Sequence, residues 1–248
     1  MPATPSWPLK SAPRLFVPGL LAEGVAVALD GGQAHYLLKV MRAREGDAII
    51  LCDDITGEWT ALVAAVGKRD LVLIPQTRTR PREAVPDFTL CAALLKKDRF
   101  DLVLEKATEL GVRRIQPVIT RRCVADKLNP DRARAILTEA AEQCARTALP
   151  ELAEPVKLEH LLREWPADRA LFFADEIGGE PAAALFAACA GPAALLTGPE
   201  GGFDPAERES VRGLAEARAI TLGPRILRGE TAAIAATSLW MACAGDWR

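Results

Sequence analysis

The stretch Leu195-Leu196-Thr197-Gly198-Pro199-Glu200-Gly201-Gly202-Phe203 has a counterpart further along the chain, Leu222-Gly223-Pro224-Arg225-Ile226-Leu227-Arg228-Gly229-Glu230-Thr231. Each stretch follows a short apolar run that is typical of a strand, and each leads into a helical pattern. Glycines in such loops let backbone N–H and C=O groups approach a ligand closely. Ligands of open parallel sheets bind at the carboxyl ends of the strands. We therefore predict a cleft between two adjacent strand ends.

The charges in these loops indicate the kind of ligand. A phosphate-binding loop favours Lys or Arg, whereas the first loop contains Glu200. A carboxylate there disfavours a pyrophosphate and suits a nucleoside that carries positive charge, such as S-adenosylmethionine. Taken alone, the first loop also fits ordinary turn chemistry. The second loop favours a functional site, because Arg225, Arg228 and Glu230 crowd a junction where a structural turn needs no charges.

Strands and helices alternate through the rest of the second half of the chain. This alternation predicts an α/β domain with a mostly parallel sheet covered on both faces. Asn129 before Pro130 and Asp204 before Pro205 mark helix starts, and Gly111 marks a helix end. The predicted strands are 88–94, 114–119, 170–174, 193–197 and 219–222, and the predicted helices are 98–110, 130–148, 181–188, 205–217 and 231–244.

The first part of the chain has a different pattern. Short apolar runs at 14–17, 25–29, 48–52, 59–66 and 71–74 alternate with turn residues, and one helix is predicted at about 32–41. A small barrel of about five strands fits this pattern and has the size of an RNA-binding accessory domain. The predicted organisation is a flexible extension at 1–13, a β-barrel at 14–77, a linker at 78–87 and an α/β domain at 88–248.

Composition narrows the function classes. The 248 residues carry a net charge of −2, and no apolar run approaches the roughly 20 residues that span a bilayer. The N-terminus lacks the hydrophobic core of a signal peptide, so we expect a cytoplasmic protein without membrane contact. Six cysteines without a C-x-x-C pair are expected to be buried thiols, and the sequence shows no metal-ligand pattern.

Basic residues concentrate in one segment. Residues 78–122 contain eleven basic and six acidic side chains, which fits either a polyanion footprint or several solvated basic helix faces. His35, Lys39 and Arg42 lie at i, i+4 and i+7 of the predicted short helix, and they leave the same two alternatives open. Gln143 and Arg146 are three apart on an alanine-rich helix, where they could be surface groups or reach into a cleft.

Several separated motifs resemble one known family. They are the segment 35–42 with Gly46 and Asp47, Lys97 with the segment 105–111, the segment 139–143, and the two glycine loops. Together they resemble the bacterial 16S ribosomal RNA uridine N3-methyltransferases, members of the SPOUT superfamily. Two departures are Gly229, where the family usually has threonine, and Cys144, where serine is frequent.

The resemblance implies a PUA-like RNA-binding barrel, a SPOUT domain with a deep trefoil knot, and a homodimer. The implied cofactor is S-adenosylmethionine, and the implied partner is 16S ribosomal RNA or the assembled small ribosomal subunit. The cofactor contacts carried over are Leu196, Gly198, Glu200, Gly201, Leu222, Gly223, Ile226, Leu227, Arg228, Thr231 and Ala232. The residues assigned to RNA are Arg14, His35, Lys39, Arg42, Lys97, Gln143 and Arg146.

The implied reaction is an in-line attack of uridine N3 on the sulfonium methyl group, which needs alignment above all. Because N3 must lose its proton, we expect Arg228 to stabilise the uridine anion. Glu230, or Gln143 with Arg146, would position the base. The alternatives are a SPOUT enzyme that acts on transfer RNA or a ribose 2′-hydroxyl, and a non-catalytic RNA-binding relative.

Overall fold

The computed structural model describes residues 6–247, which divide into two compact units. The first unit comprises residues up to Ala84 together with Ala141–Ala148, and the second comprises Val85–Ala140 and the residues from Leu149 onward. Within residues 6–247, no helix is both long and apolar enough to cross a membrane.

The first unit is built on a five-stranded sheet with the order β1-β3-β4-β5-β2. β1 pairs with β3 in parallel, and the other pairs are antiparallel. Apolar side chains such as Leu15, Leu37 and Ile49 form its buried core. The predicted small β-rich domain of five strands is confirmed. Its elements are β1 (Arg14–Phe16), β2 (Val27–Leu29), α1 (Gly31–His35), a π-helical turn (Tyr36–Met41), β3 (Ala48–Cys52), β4 (Gly57–Val66) and β5 (Leu71–Pro81).

β5 is longer than the sequence predicts. It continues to Pro81 and pairs with the start of β4, so the predicted linker at 78–87 begins inside the sheet. Glu58, which is buried on β4, pairs with Arg80 of this segment and with Arg14 of β1. Residues 78–81 are exposed, so the absence of apolar periodicity there reflects a strand end that faces solvent.

The N-terminal segment is partly packed against the sheet. The Ser6 amide and hydroxyl donate to the Asp47 carboxylate at 2.6 and 2.7 Å, and the Trp7 indole donates to the Ala48 carbonyl at 2.8 Å. Trp7 also packs against the core. These contacts contradict the prediction of a flexible extension for Ser6 and Trp7 only, and the first five residues of the predicted extension lie outside the described part of the chain.

The second unit contains a sheet in which every pair is parallel, with the order β11-β13-β10-β12-β6-β7-β8 and β9 beside β7. The predicted α/β domain is confirmed. Its strands are β6 (Phe88–Ala93), β7 (Arg114–Ile119), β8 (Glu151–Leu152), β9 (Val156–Lys157), β10 (Ala170–Ala174), β11 (Glu180–Pro181), β12 (Ala193–Thr197) and β13 (Ala217–Thr221). Its helices are α2 (Lys97–Glu109), α3 (Pro130–Cys144, whose last residues group with the first unit), α4 (Leu158–Arg163), α5 (Ala182–Ala187), α6 (Pro205–Arg212) and α7 (Gly229–Cys243).

Local signals set most helix boundaries. Asp204 and Glu207 form the predicted capping box at α6, and Asn129 accepts the Arg132 amide at the start of α3. Gly111 has a φ of 89° after α2. Two helices end earlier than predicted: α3 stops at Cys144 because Ala145 takes a left-handed φ of 61°, and α6 stops at Arg212 before β13 begins.

The strands that precede the two glycine loops are not neighbours. β10 lies between β12 and β13 and pairs with both of them, so the prediction of adjacent strand ends is wrong. The chain crosses over β10 through α6, and strands that follow each other in sequence are neighbours in only about two-thirds of cases. The consequence is that the end of β10 also reaches the cleft.

Candidate active site

A cleft opens at the carboxyl ends of β10, β12 and β13. The two glycine loops form much of its wall, and the residues after β10 complete it. Leu227, which is half-buried, and Ile226, which has 84% of its surface exposed, offer apolar surface to a ligand, whereas the Phe203 ring in the lining is buried. The lining residues are Ala174, Asp175, Glu176, Gly198, Pro199, Gly202, Phe203, Ile220, Thr221, Leu222, Gly223, Pro224, Arg225, Ile226, Leu227, Gly229 and Ala232.

The cleft brings together part of the predicted cofactor set, namely Gly198, Leu222, Gly223, Ile226, Leu227 and Ala232. Other members lie outside the lining. Leu196 is fully buried in β12, and Gly201 packs against Arg122, whose guanidinium donates to the Gly201 carbonyl at 3.0 Å. Arg228 and Thr231 are exposed at the start of α7.

The carboxylates of the cleft come from β10 and not from the glycine loop. Glu200 is absent from the lining, and it accepts the backbone N–H of Lys96 at 3.2 Å. Asp175 and Glu176 line the cleft instead. The argument from Glu200 for a cationic nucleoside therefore has to rest on Glu176, which the sequence did not single out, because the Asp175 side chain has no exposed surface. The available signal was an acidic pair directly after a buried strand at the ligand-binding edge of the sheet.

An arginine on α6 holds these carboxylates in place. Arg208 Nε donates to Asp175 at 3.1 Å, and its Nη2 donates to Glu176 at 2.9 Å. Arg212 adds a second bond to Asp175 at 2.7 Å, and the Asp175 side chain has no exposed surface. Asp175 is thus neutralised by two guanidinium groups, whereas the Glu176 side chain keeps 40% of its surface exposed and can meet a ligand.

Two glycines allow the loops to approach each other and Glu176. A side-chain carbon on Gly202, which has a φ of 65°, would lie 2.5 Å from Glu176 Oε1. A side-chain carbon on Gly229 would lie 3.0 Å from the Gly198 carbonyl oxygen and 2.9 Å from Leu95. The threonine that the resemblance leads us to expect at position 229 would meet these atoms, so Gly229 lets the second loop sit against the first.

The predicted catalytic pair lies at the N-terminus of α7. Arg228 is the exposed N-cap residue, and the Glu230 side chain is 12% exposed. Glu230 Oε1 accepts a hydrogen bond from Arg99 at 2.7 Å. Its other oxygen is buried and has no hydrogen-bond partner among the described residues. Arg99, on α2, is a further charged residue of this site that the sequence did not single out.

Lys97 is the one residue assigned to RNA that belongs to the second unit, and the other six belong to the first. His35 and Lys39 line a concave surface of the first unit, but Arg42 lies beyond the helical turn in a left-handed conformation. Gln143 is exposed, and Lys97 lies 3.7 Å from Asp98 and from Asp101.

Arg14 pairs with Glu58, and Arg146 is 5% exposed and pairs with Glu83 at 3.2 Å. These two pairs favour structural roles for Arg14 and Arg146.

The cysteines differ in exposure. Burial raises the pKa of the Cys91 thiol to about 12, and Cys52 is buried as well. Cys144 is exposed, which contradicts the expectation that all six thiols are buried. All six are free, and residues 6–247 contain no group of three potential metal-ligating side chains.

Comparisons with known proteins show which family this chain resembles. Residues 81–241 match a family model described as an RNA methyltransferase domain, and residues 29–76 match an RNA methyltransferase PUA domain. A relative from Mycobacterium bovis, named ribosomal RNA small subunit methyltransferase E, is 31% identical over 93% of this chain and 94% of its own length.

Two solved structures are similar over nearly the whole chain. A ribosomal RNA small subunit methyltransferase E from Neisseria gonorrhoeae, bound to S-adenosylmethionine, superposes with a TM-score of 0.85 at 28% identity, covering 96% of this chain and 100% of its own. A methyltransferase from Legionella pneumophila, in complex with the same cofactor, gives a TM-score of 0.84 at 30% identity, covering 95% of this chain and 99% of its own.

Proposed function

The chain belongs to the RNA methyltransferase family, and from that premise we propose that it methylates ribosomal RNA of the small subunit with S-adenosylmethionine as donor. The finer proposal is that the target is N3 of a uridine in 16S ribosomal RNA. The observation that carries the proposal is the cleft at the ends of β10, β12 and β13, with Arg228 and Glu230 at the adjoining helix start.

The residues of the cleft fit S-adenosylmethionine. Backbone groups of Gly198 and Gly223 are accessible to a ligand, and Leu222, Ile226 and Leu227 offer apolar contacts for the adenine. The Glu176 carboxylate matches a ligand with a sulfonium and an ammonium group, or the hydroxyls of its ribose. The cofactor, when bound, supplies a methyl group that is activated by the sulfonium charge.

The residues at the start of α7 support the chemistry at the uridine. N3 is protonated at neutral pH, so the site must stabilise the uridine anion and accept a proton. We assign the first task to the exposed Arg228 guanidinium. We assign proton acceptance to Glu230, because Arg99 holds one of its oxygens at 2.7 Å and leaves the other without a partner among the described residues.

The N3 edge of uridine is hidden in a base pair, so the target must be unpaired or flipped out of its stack. We propose that the PUA-like unit binds the surrounding RNA. We also propose that the enzyme acts as a homodimer in the cytoplasm, where small ribosomal subunits are assembled. If the protein is a homodimer, its mass in solution is twice 26.7 kDa, and light scattering would measure this mass.

We propose in addition that the α/β unit contains the trefoil knot that the family resemblance implies. The close approach of Gly229 to the Gly198 carbonyl supports this proposal, since the second loop packs directly on the first.

The decisive experiment incubates the protein and radiolabelled S-adenosylmethionine with unmodified small ribosomal subunits and, separately, with transfer RNA. Nucleoside analysis should recover the label as 3-methyluridine from the subunits only. Arg228→Ala should reduce turnover at saturating cofactor much more than it reduces cofactor affinity. Arg218→Ala, on β13 and outside the cleft, is the matched control and should keep full turnover.

The other outcomes assign the alternatives. Label in transfer RNA, or in a 2′-O-methylated nucleoside, would replace the uridine N3 proposal with a different SPOUT activity. The remaining alternative is a non-catalytic RNA-binding relative. Calorimetry tests it, because such a protein would bind RNA but no S-adenosylmethionine.

A further inference from the structure

The first unit has a concave surface that the proposed chemistry does not use. The pocket that this surface forms has a volume of about 350 Å³ and is lined by Gly31, His35, Leu38, Lys39, Lys68 and Arg69. The two lysines, the arginine and the histidine come from two separate elements, the α1 helix with its π-helical turn and the turn between β4 and β5. We call these four side chains the basic cradle.

The basic cradle is not neutralised within the described chain. None of its four side chains forms an ion pair with a described residue, whereas other arginines of the same unit do. Arg80 pairs with Glu58, and Arg82 pairs with Asp54. Cations that line one concavity without internal partners raise the local concentration of anions. The surface therefore has the charge expected of an anion-binding site.

The backbone beside the basic cradle is unusual. The helix widens into a π-helical turn over Tyr36–Met41, and Arg42 then adopts a left-handed φ of 57°. Such a turn and a left-handed non-glycine residue both concentrate at functional sites. This local geometry places Lys39 beside the β4–β5 turn and leaves Arg42 outside the surface. Tyr36, the next residue after His35, is 38% exposed, and exposed aromatic side chains can stack on bases.

We propose that the basic cradle binds consecutive phosphates of the RNA substrate, with Lys68 and Arg69 of the β4–β5 turn as RNA contacts. The inference rests on the proposed function, since that function makes RNA the ligand. Phosphate contacts position a protein on RNA and carry no sequence information. The cradle has the matching composition: cationic side chains from two elements along an open surface, with no carboxylate in its lining.

The test compares two double variants that each remove two positive charges. Lys68→Gln with Arg69→Gln removes half of the basic cradle. Arg113→Gln with Arg114→Gln is the matched control, because these arginines of the second unit already pair with Asp87 and Glu151. The measurements are the affinity for a small-subunit RNA fragment at several salt concentrations, the affinity for S-adenosylmethionine, and the thermal midpoint.

We expect the cradle variant to bind RNA at least about tenfold more weakly at low salt, with a salt slope reduced by roughly 0.7 to 0.9 for each lost phosphate contact. Its cofactor affinity and thermal midpoint should remain those of the wild type, and the single variant Lys68→Arg should bind normally. In methylation of subunits, KM should rise while kcat is unchanged. The decrease in RNA affinity of the control variant should be less than half of the decrease measured for the cradle variant.

An unchanged RNA affinity and salt slope in the cradle variant would overturn the inference. Loss of binding to phosphatidylserine vesicles with RNA binding intact would overturn it as well, because the cradle would then serve a membrane surface. The proposed function fails separately. If the wild-type protein methylates no RNA but the cradle variant loses RNA affinity, the cradle stands and the enzymatic proposal falls.

Discussion

We expect recognition of the positively charged cofactor to depend on Glu176, which lines the cleft. Arg208 Nη2 donates to its carboxylate at 2.9 Å, while Arg208 Nε and Arg212 donate to Asp175. A carboxylate fixed in this way is ready to accept hydrogen bonds without further ordering, which lowers the entropic cost of binding.

We predict that Glu176→Gln weakens binding of S-adenosylmethionine by about tenfold, because a hydrogen bond to a charged group contributes on the order of 1.5 kcal/mol. Calorimetry would measure the two affinities. Glu209→Gln, which removes an exposed carboxylate of α6 outside the cleft, is the control and should bind the cofactor as the wild type does. Equal affinities for the wild type and Glu176→Gln would remove Glu176 from the site.

Gly202 is required by its own conformation and by its neighbour. A left-handed alanine costs about 1–2 kcal/mol, and its methyl group would also collide with the Glu176 carboxylate. We predict that Gly202→Ala lowers the free energy of unfolding by at least about 1 kcal/mol and weakens cofactor binding. Gly191→Ala is the matched control, since a side chain there meets open space. Urea titration of both variants tests this, and similar midpoints would contradict the prediction.

At the scale of elements, the turn between β3 and β4 depends on one carboxylate. Asp53 accepts the backbone N–H groups of Leu21, Ile55 and Thr56 at 2.7–2.9 Å. Burial alone would raise the pKa of Asp53, but these hydrogen bonds outweigh it and hold the pKa below its usual value. The ionised form therefore stabilises the folded state. This stabilisation is complete above the unfolded pKa, near 4, and is lost as the pH falls through the folded value.

We predict that Asp53→Asn reduces the stability of the first unit at pH 7 by about 1–2 kcal/mol and makes that stability less dependent on pH below about 4. Hydrogen exchange of the β3 and β4 amides at several pH values would measure both effects. Glu23→Gln, at an exposed position of the same unit, should leave the wild-type pH profile unchanged. A wild-type acid response in Asp53→Asn would show that another group carries it.

The ion pair of Arg99 and Glu230 joins α2 to α7. We predict that Arg99→Ala lowers the free energy of unfolding by about 1–2 kcal/mol, less than for a fully buried pair because Arg99 is 31% exposed. Turnover should also fall, since Glu230 loses the group that orients it. Arg114→Ala breaks an exposed pair with Glu151 and should change stability by less than about 1 kcal/mol. Thermal unfolding and methylation assays on both variants test the difference.

Local patterns were sufficient to predict most elements but not how they are arranged. β7, β10 and β12 have the predicted bounds because buried strands between turn residues are recognisable from sequence. The position of β10 between β12 and β13 is a property of the crossover, which no local pattern encodes. For that reason the glycine loops were found, whereas the carboxylate of Glu176 and the Arg99 partner of Glu230 were not.

At the scale of the whole molecule, the chain contributes to its first unit twice. It leaves this unit after Ala84, forms β6 and β7 of the second unit, and then returns to the first unit. Ala141–Ala148 group with residues up to Ala84, although a linear reading places the domain boundary once, near residue 80. The Phe16 amide donates to Glu142 at 2.8 Å, and Arg80 donates to the Ala145 carbonyl at 2.8 Å. The first unit is therefore completed by a segment that follows it by more than fifty residues in sequence.

The Glu83 carboxylate binds the segment 141–148 to the rest of the first unit. Its Oε1 accepts the backbone N–H groups of Thr147 and Ala148, each at 3.1 Å, and the Arg146 guanidinium at 3.2 Å. We predict that Glu83→Ala speeds hydrogen exchange in β1 and β5 by roughly tenfold or more, because the buried Arg146 and two backbone amides lose the Glu83 carboxylate as an acceptor. Exchange in β10 and β12 should change much less, since those strands belong to the other unit. Glu45→Ala, an exposed carboxylate of the first unit, provides the comparison. Equal exchange in Glu83→Ala and Glu45→Ala would mean that residues 141–148 do not stabilise the first unit, and the single-boundary division of the chain would then be the better description.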